Sequence, residues 1–199
     1  MAPPARTPYV SPMWRVPAML FAIVLGLTIG AAAPTRADQN DPRLEGLFQE
    51  LRVVTGYLRA RTLEQQIWSI WTASSNPEVN RLMDDGVGAL ATQDYKAALT
   101  DFSKVIDLAP DFAEGWNKRA TVLYLVGDYE GSLADVDQTL ALEPRHFGAL
   151  SGLGLIKAAQ ERDEEAIDAF EKALAVNPHM PGVISNIEHL KQRLKDKQI

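Results

Sequence analysis

Few residues in this chain of 199 have the types and spacing that chemistry demands. The histidines are His146, His179 and His189, and no two stand three or four residues apart, as metal ligands on one helix face would. There is no cysteine, which removes disulfides, zinc thiolates and thiol nucleophiles. Neither a G-x-S-x-G elbow nor a phosphate-binding loop occurs. The run "GLGLI" (Gly152 to Ile156) has the composition of a nucleotide loop, but it falls inside an apolar helical pattern, where Gly154 serves close helix packing. Glu164 and Glu165 fall on an exposed face and read as solvated charge. The expectation is therefore no catalytic residue, no cofactor and no metal site.

What the chain does contain is repetition. Pro110, Pro144 and Pro178 stand 34 residues apart, preceded by "DLAP", "ALEP" and "AVNP". Aligned on them, Ala98, Ser132 and Ala166 share one place, Phe102, Val136 and Phe170 a second, and Gly86, Ala120 and Gly154 a third. Leu82, Trp116 and Leu150 share a fourth. Three units follow, 79–112, 113–146 and 147–180, each predicted to be a pair of helices. In the middle unit, helix A spans about Ala113 to Val126, and "GDY" makes the turn. Gly127 can take the left-handed conformation there, and Asp128 can cap helix B. Pro144 stops helix B, because the residue before a proline is pushed out of the helical region. The small positions face the crossing of the two helices, where a larger side chain would overpack.

These places resemble the tetratricopeptide repeat: 34 residues, helix–turn–helix, with large, small and proline positions in set order. The third unit follows the pattern with Leu153, Gly154, Ala166, Phe170, Ala173 and Pro178. The second departs at Val136 and Thr139, and the first carries Asp85 where leucine is usual. The resemblance covers about half the chain and implies an all-α solenoid of antiparallel helix pairs.

Two flanking segments complete the stack. Residues 38–78 read as another helical hairpin, with the length of a degenerate repeat. Its first helix is capped by Asp41 and opens at Pro42, with Leu44, Leu47, Phe48 and Leu51 on one face. Gly56 breaks that helix, "TLEQ" (Thr62 to Gln65) fits a capping box for the second, and Trp68 and Trp71 take core places. Residues 181–199 carry Val183, Ile187, Leu190 and Leu194 on one face and read as a capping helix for the last repeat. The basic run from Lys191 to Lys197 suits a solvated helix C-terminus.

The N-terminus reads as a secretory signal peptide, residues 1–37. Arg6 and Arg15 precede the uncharged run from Val16 to Ala33, and Thr35 and Ala37 suit a cut after Ala37, with a cut near Ala33 as the alternative. Cleavage removes three arginines and leaves 17 basic against 26 acidic residues, a net charge of −9. That acidic balance argues against a nucleic-acid partner. The expected setting is the periplasm, with the membrane met only transiently through the signal. An uncleaved segment anchoring the chain in the inner membrane is the alternative.

The resemblance implies a concave surface lined by the A helices, able to hold a peptide or helix of another envelope protein. Its inward places are Asn80, Met83, Val87 and Leu90 in the first unit, and Glu114, Asn117, Thr121 and Tyr124, with Lys118 beside them, in the second. In the third they are Gly148, Ser151, Leu155 and Ala158. The expected binding set is Met83, Val87, Glu114, Asn117, Lys118, Thr121, Tyr124, Ser151, Gly152 and Leu155. Members of the family that clamp a C-terminal carboxylate use lysine, asparagine and arginine where this chain has Met83, Val87, Lys118, Gly148 and Gly152, so that clamp is missing. Gly148 and Gly152 either leave room for a backbone or a bulky side chain or only relieve crowding against the second unit. Self-assembly of the array through its ends or convex face is the alternative function, with a homo-oligomer as the partner.

Overall fold

Local chemistry starts each helix of the array. Asn76 accepts the Glu78 N–H ahead of Pro77 and opens α3 (Pro77–Ala91). Asp94 does the same for α4 (Tyr95–Leu108) through the Ala97 N–H, and Asp128 for α6 (Tyr129–Leu142) through the Gly131 N–H. Helix α5 (Ala113–Leu125) opens without a side-chain cap, α7 (Phe147–Ala159) is capped by His146, and α8 (Asp163–Val176) follows Arg162. Helix α9 (Pro181–Asp196) opens on a proline. The A-to-B turns put Gln93, Gly127 and Glu161 at φ 62°, 83° and 59°. Glycine is at ease in that left-handed region, and the other two are held there against a steric penalty.

The structure, a computed structural model, describes residues 39–197. The signal peptide read at 1–37 lies outside the described residues. From α3 onward each helix packs on the next, giving the all-α solenoid of helix pairs. The small positions act as the pattern requires. A Cβ on Gly86 would lie 2.6 Å from the Phe102 ring, and one on Gly154 2.5 Å from Phe170. The middle pair trades volume across the same contact: Ala120 adds a methyl where Val136 replaces a ring, and Ser132 Oγ donates to the Ala120 carbonyl at 2.8 Å.

The N-terminal hairpin, α1 (Arg43–Val53) and α2 (Tyr57–Trp71), does not extend this stack. Its core, Leu44, Phe48, Leu51, Leu63, Ile67, Ile70 and Trp71, closes on Phe147 with Val176 and Met180 at its edge, and not on α3. The reading of 38–78 as a repeat at the head of the array is corrected accordingly. Helix α1 instead runs along the row of turns joining one repeat to the next. Gln39, just before it, donates to the Asp111 carbonyl. Glu45 pairs with Arg145 at 3.0 Å, and the Arg145 guanidinium covers the Phe48 ring at 4.5 Å. The Leu51 carbonyl accepts from His179 Nε2 at 3.1 Å, and Glu64 accepts from Asn177 Nδ2 at 2.8 Å. The residues around Pro110, Pro144 and Pro178 thus do more than end helices; their side chains and carbonyls form a ledge that holds the hairpin.

Two local expectations also change. Asp41 Oδ1 takes the Arg43 N–H at 2.9 Å, so α1 opens one residue after Pro42. The "TLEQ" box is not a helix start. Gly56 already opens α2, and the Thr62 hydroxyl bonds back to the Leu58 carbonyl from inside the helix.

Candidate binding groove

The inward face of α5 and α7 is organised around a buried polar cluster under the hairpin. Glu114 is 1% exposed and His146 0%. His146 Nδ1 accepts the Ala149 N–H at 3.0 Å, so its proton sits on Nε2, which donates to Glu114 Oε2, also at 3.0 Å. Asn117 Nδ2 donates to the same oxygen at 2.9 Å, and Lys118 Nζ pairs with Oε1 at 3.0 Å. Burial is the largest influence on the Glu114 carboxyl and opposes its charge, but His146 and Lys118 together outweigh it and hold the group below the ordinary glutamate range. The Trp71 ring stacks on the His146 imidazole at 4.2 Å and 9°, sealing the pair from above.

A buried carboxylate beside a histidine invites an acid–base reading. The geometry points elsewhere. Both His146 nitrogens are committed, one to a helix cap and one to Glu114, and neither side chain reaches solvent. The cluster positions. It joins the start of α5 to the start of α7 and gives α2 a flat surface to stack on. Sequence reasoning missed it, although Glu114 and His146, 32 residues apart in a 34-residue repeat, fall at the same end of neighbouring A helices.

The expected binding residues divide. Asn117, Thr121, Tyr124, Gly152 and Leu155 are brought together, with Gly148, Ser132 and Val136, around an inner cleft of about 70 Å³ between α5 and α7. Ser151 lines a wider cleft of about 440 Å³, walled by Trp68, Glu64 and Arg61 of α2 on one side and by Phe147, Asn177, His179 and the start of α9 on the other. Gly148 belongs to both. A Cβ there would stand 2.8 Å from the Trp68 ring, so the bulky side chain that Gly148 admits is the chain's own Trp68. Lys118 caps that ring at 5.7 Å from its centroid. Gly152 faces open space, its nearest neighbour Val136 lying 4.0 Å from where a Cβ would be. Val87 stays exposed on α3, outside both clefts.

Two members of the set are corrected. Met83 is 4% exposed and belongs to the core of α3, α4 and Phe112, and Glu114 belongs to the buried cluster. Neither can meet a partner, because each side chain is already enclosed. Asn117 commits one of its two amide N–H groups to Glu114, which leaves fewer groups to orient a ligand than its position suggests. Among the described residues no group of three or more histidines and carboxylates could hold a metal ion, and no helix is long and apolar enough to cross a membrane.

The sequence profile of the tetratricopeptide repeat matches residues 86–134 and 117–181. A TPR repeat-containing protein of Rhizobium etli is 35% identical over 136 residues, covering 68% of this chain and 67% of the relative. The chain belongs to the tetratricopeptide repeat family. Among solved structures, the TPR domain of Sgt2 from Aspergillus fumigatus is similar with a TM-score of 0.59 at 22% identity, over 62% of this chain and 83% of that domain. The first TPR of Spaghetti (RPAP3), bound to the HSP90 peptide SRMEEVD, gives 0.57 at 20% identity, over 59% of this chain and 94% of the other. These two likenesses establish the fold of the repeat array. The docked hairpin, Trp68 on Gly148 and the Glu114–His146 pair are features of this repeat protein's own residues.

Proposed function

We propose that this protein is a non-catalytic interaction module of the cell envelope that holds a short segment of a partner protein on its concave face. The observation that carries this reading is the pair of clefts meeting at Gly148. A concave, partly apolar surface with a few polar groups, left open at Gly152, suits an extended peptide with one small aliphatic anchor. The inner cleft has room for about a valine-sized group. Tyr124 and Ser151 supply hydrogen bonds near either end, and the wider cleft adds Asn186 and the rim of α2.

The RPAP3 domain's HSP90 peptide supports a peptide as the class of ligand. An acidic C-terminal tail fits poorly here, since Met83, Val87, Gly148 and Gly152 stand where carboxylate-clamping residues would be. Export rests on the leader-like pattern of residues 1–37. A photoreactive residue at Leu155 in the exported protein tests the groove. One dominant adduct with another protein, lost in the Thr121→Ala/Tyr124→Ala variant at unchanged helicity, is the expected result. Self-adducts alone, or an adduct indifferent to that variant, refute it.

A further inference from the structure

The hairpin that lies along the ledge carries its own unpartnered end. Beyond the last turn of the ledge, where His179 meets Leu51, α1 and α2 continue into the turn 54–56. Val53, Tyr57 and Leu58 at this tip are 75%, 70% and 79% exposed, the highest values among the exposed large hydrophobic side chains of the described residues. A Cβ on Gly56 would meet nothing within 4 Å, so the turn between them stands clear of the body of the protein.

Basic residues outnumber acidic ones around this tip, where Arg52, Arg59 and Arg61 stand against Glu50 and Glu64. Residues 51–63 contain Arg52, Arg59 and Arg61 and no acidic residue, in a chain whose net charge is −6. Arg59 pairs with Glu50 at 2.7 Å and Arg61 lies 3.7 Å from Glu64, while Arg52 has no ion pair among the described residues. Helix α2 starts on Gly56 with no side-chain cap and no acid in its first turn, so its free N–H groups and the positive end of its dipole also face outward at the tip. Two aliphatic side chains and a tyrosine, set between arginines and an uncapped helix start, match the two layers of a bilayer surface. The apolar groups suit the acyl boundary, and the cations and N–H groups suit phosphate headgroups.

We infer that the α1–α2 tip is a membrane-interface element that inserts shallowly into an anionic lipid surface and so presents the repeat array edge-on to the bilayer. The inference does not depend on the groove reading, since Arg52, Val53, Tyr57 and Leu58 line neither cleft, and of the three arginines only Arg61 stands at the rim of the wider one. It also gives the protein a membrane contact that does not depend on residues 1–37.

The test uses residues 38–199, which contain every described helix and all four hydrophobic clusters and omit the apolar run of the leader. The protein is sedimented with phosphatidylcholine vesicles, with and without about one third phosphatidylglycerol. Binding to the anionic vesicles alone is expected. Arg52→Gln, which breaks no ion pair among the described residues, weakens it about fivefold, the effect of one cation near an anionic surface. Val53→Ser/Tyr57→Ser/Leu58→Ser lowers it more than tenfold at unchanged circular dichroism. Protein left in the supernatant, or binding indifferent to the serine variant, overturns the inference. So does self-association without vesicles that the serine variant abolishes, which would make a second copy the occupant of the tip.

Discussion

Replacing Trp71 with alanine separates the hairpin from the array. Trp71 is 1% exposed, packs on Phe48, Trp68 and Phe147, and stacks on His146. Truncating a buried tryptophan costs about 3–5 kcal/mol. At about 1.4 kcal/mol per factor of ten, that raises the opening equilibrium by roughly two to three and a half decades. The loss falls on one cluster only. The other three clusters, centred on Phe102, Phe170 and Val136, contain no residue of α1 or α2. Native-state hydrogen exchange should therefore show the amides of 43–71 speeding up by that factor, together with the Ala149 amide that His146 caps, while α3 to α6 keep wild-type protection. Equal acceleration in α3 and α4 would refute the reasoning, since hairpin and array would then open as one unit. Unchanged exchange in the hairpin would refute it from the other side.

Two further outcomes follow from named contacts. Gly154→Ala drives a Cβ into the Phe170 ring, which is wholly buried and cannot yield, and should destabilise the fold by about 1–3 kcal/mol. Gly88→Ala, with nothing within 4 Å, should stabilise it by about 0.5–1 kcal/mol, and urea midpoints of the two variants should move in opposite directions. On pH, Glu114 has a folded pKa held below its ordinary value by His146 and Lys118 against the opposing effect of burial. Its contribution is therefore complete above the ordinary glutamate range and is lost as pH falls below that range through the folded pKa. Urea midpoints measured downward from neutral pH should fall, and Glu114→Gln should flatten part of that fall; an identical acid limb in the variant would count against the cluster as its source. Asp163, held down by Arg193 and also by Lys197, contributes an acid limb of the same sign that the Glu114 variant leaves in place.

The array was legible because its information is local and repeated. A 34-residue period states the same requirement three times, and each statement checks the others: Gly86 needs Phe102, Gly154 needs Phe170, and where Ala120 is larger Val136 is smaller. The hairpin's helices were legible from their apolar faces for the same reason. Its place was not. Leu44, Phe48, Ile67 and Trp71 state that a face is buried, not against what, and repeat architecture suggested the nearest neighbour in sequence. The contacts that decide the matter, Glu45 with Arg145, Leu51 with His179 and Glu64 with Asn177, join residues 100 or more positions apart and have no period.

One residue did point across that distance. Gly148 sits at an inward place where the other two units carry Glu114 and Asn80, and packing within its own repeat gives no reason for a glycine there. Its nearest would-be contact is Trp68, from a helix 80 positions earlier. A residue in a repeat that the repeat does not explain is evidence of something laid against it. Trp68 occupies the place at Gly148 and leaves the place at Gly152 open, so a ligand held there as proposed would enter beside the hairpin, with α2 as one wall of its site. Removing the Trp68 ring would therefore widen the cleft and relax what it accepts, whereas a larger residue at Gly152 would close it.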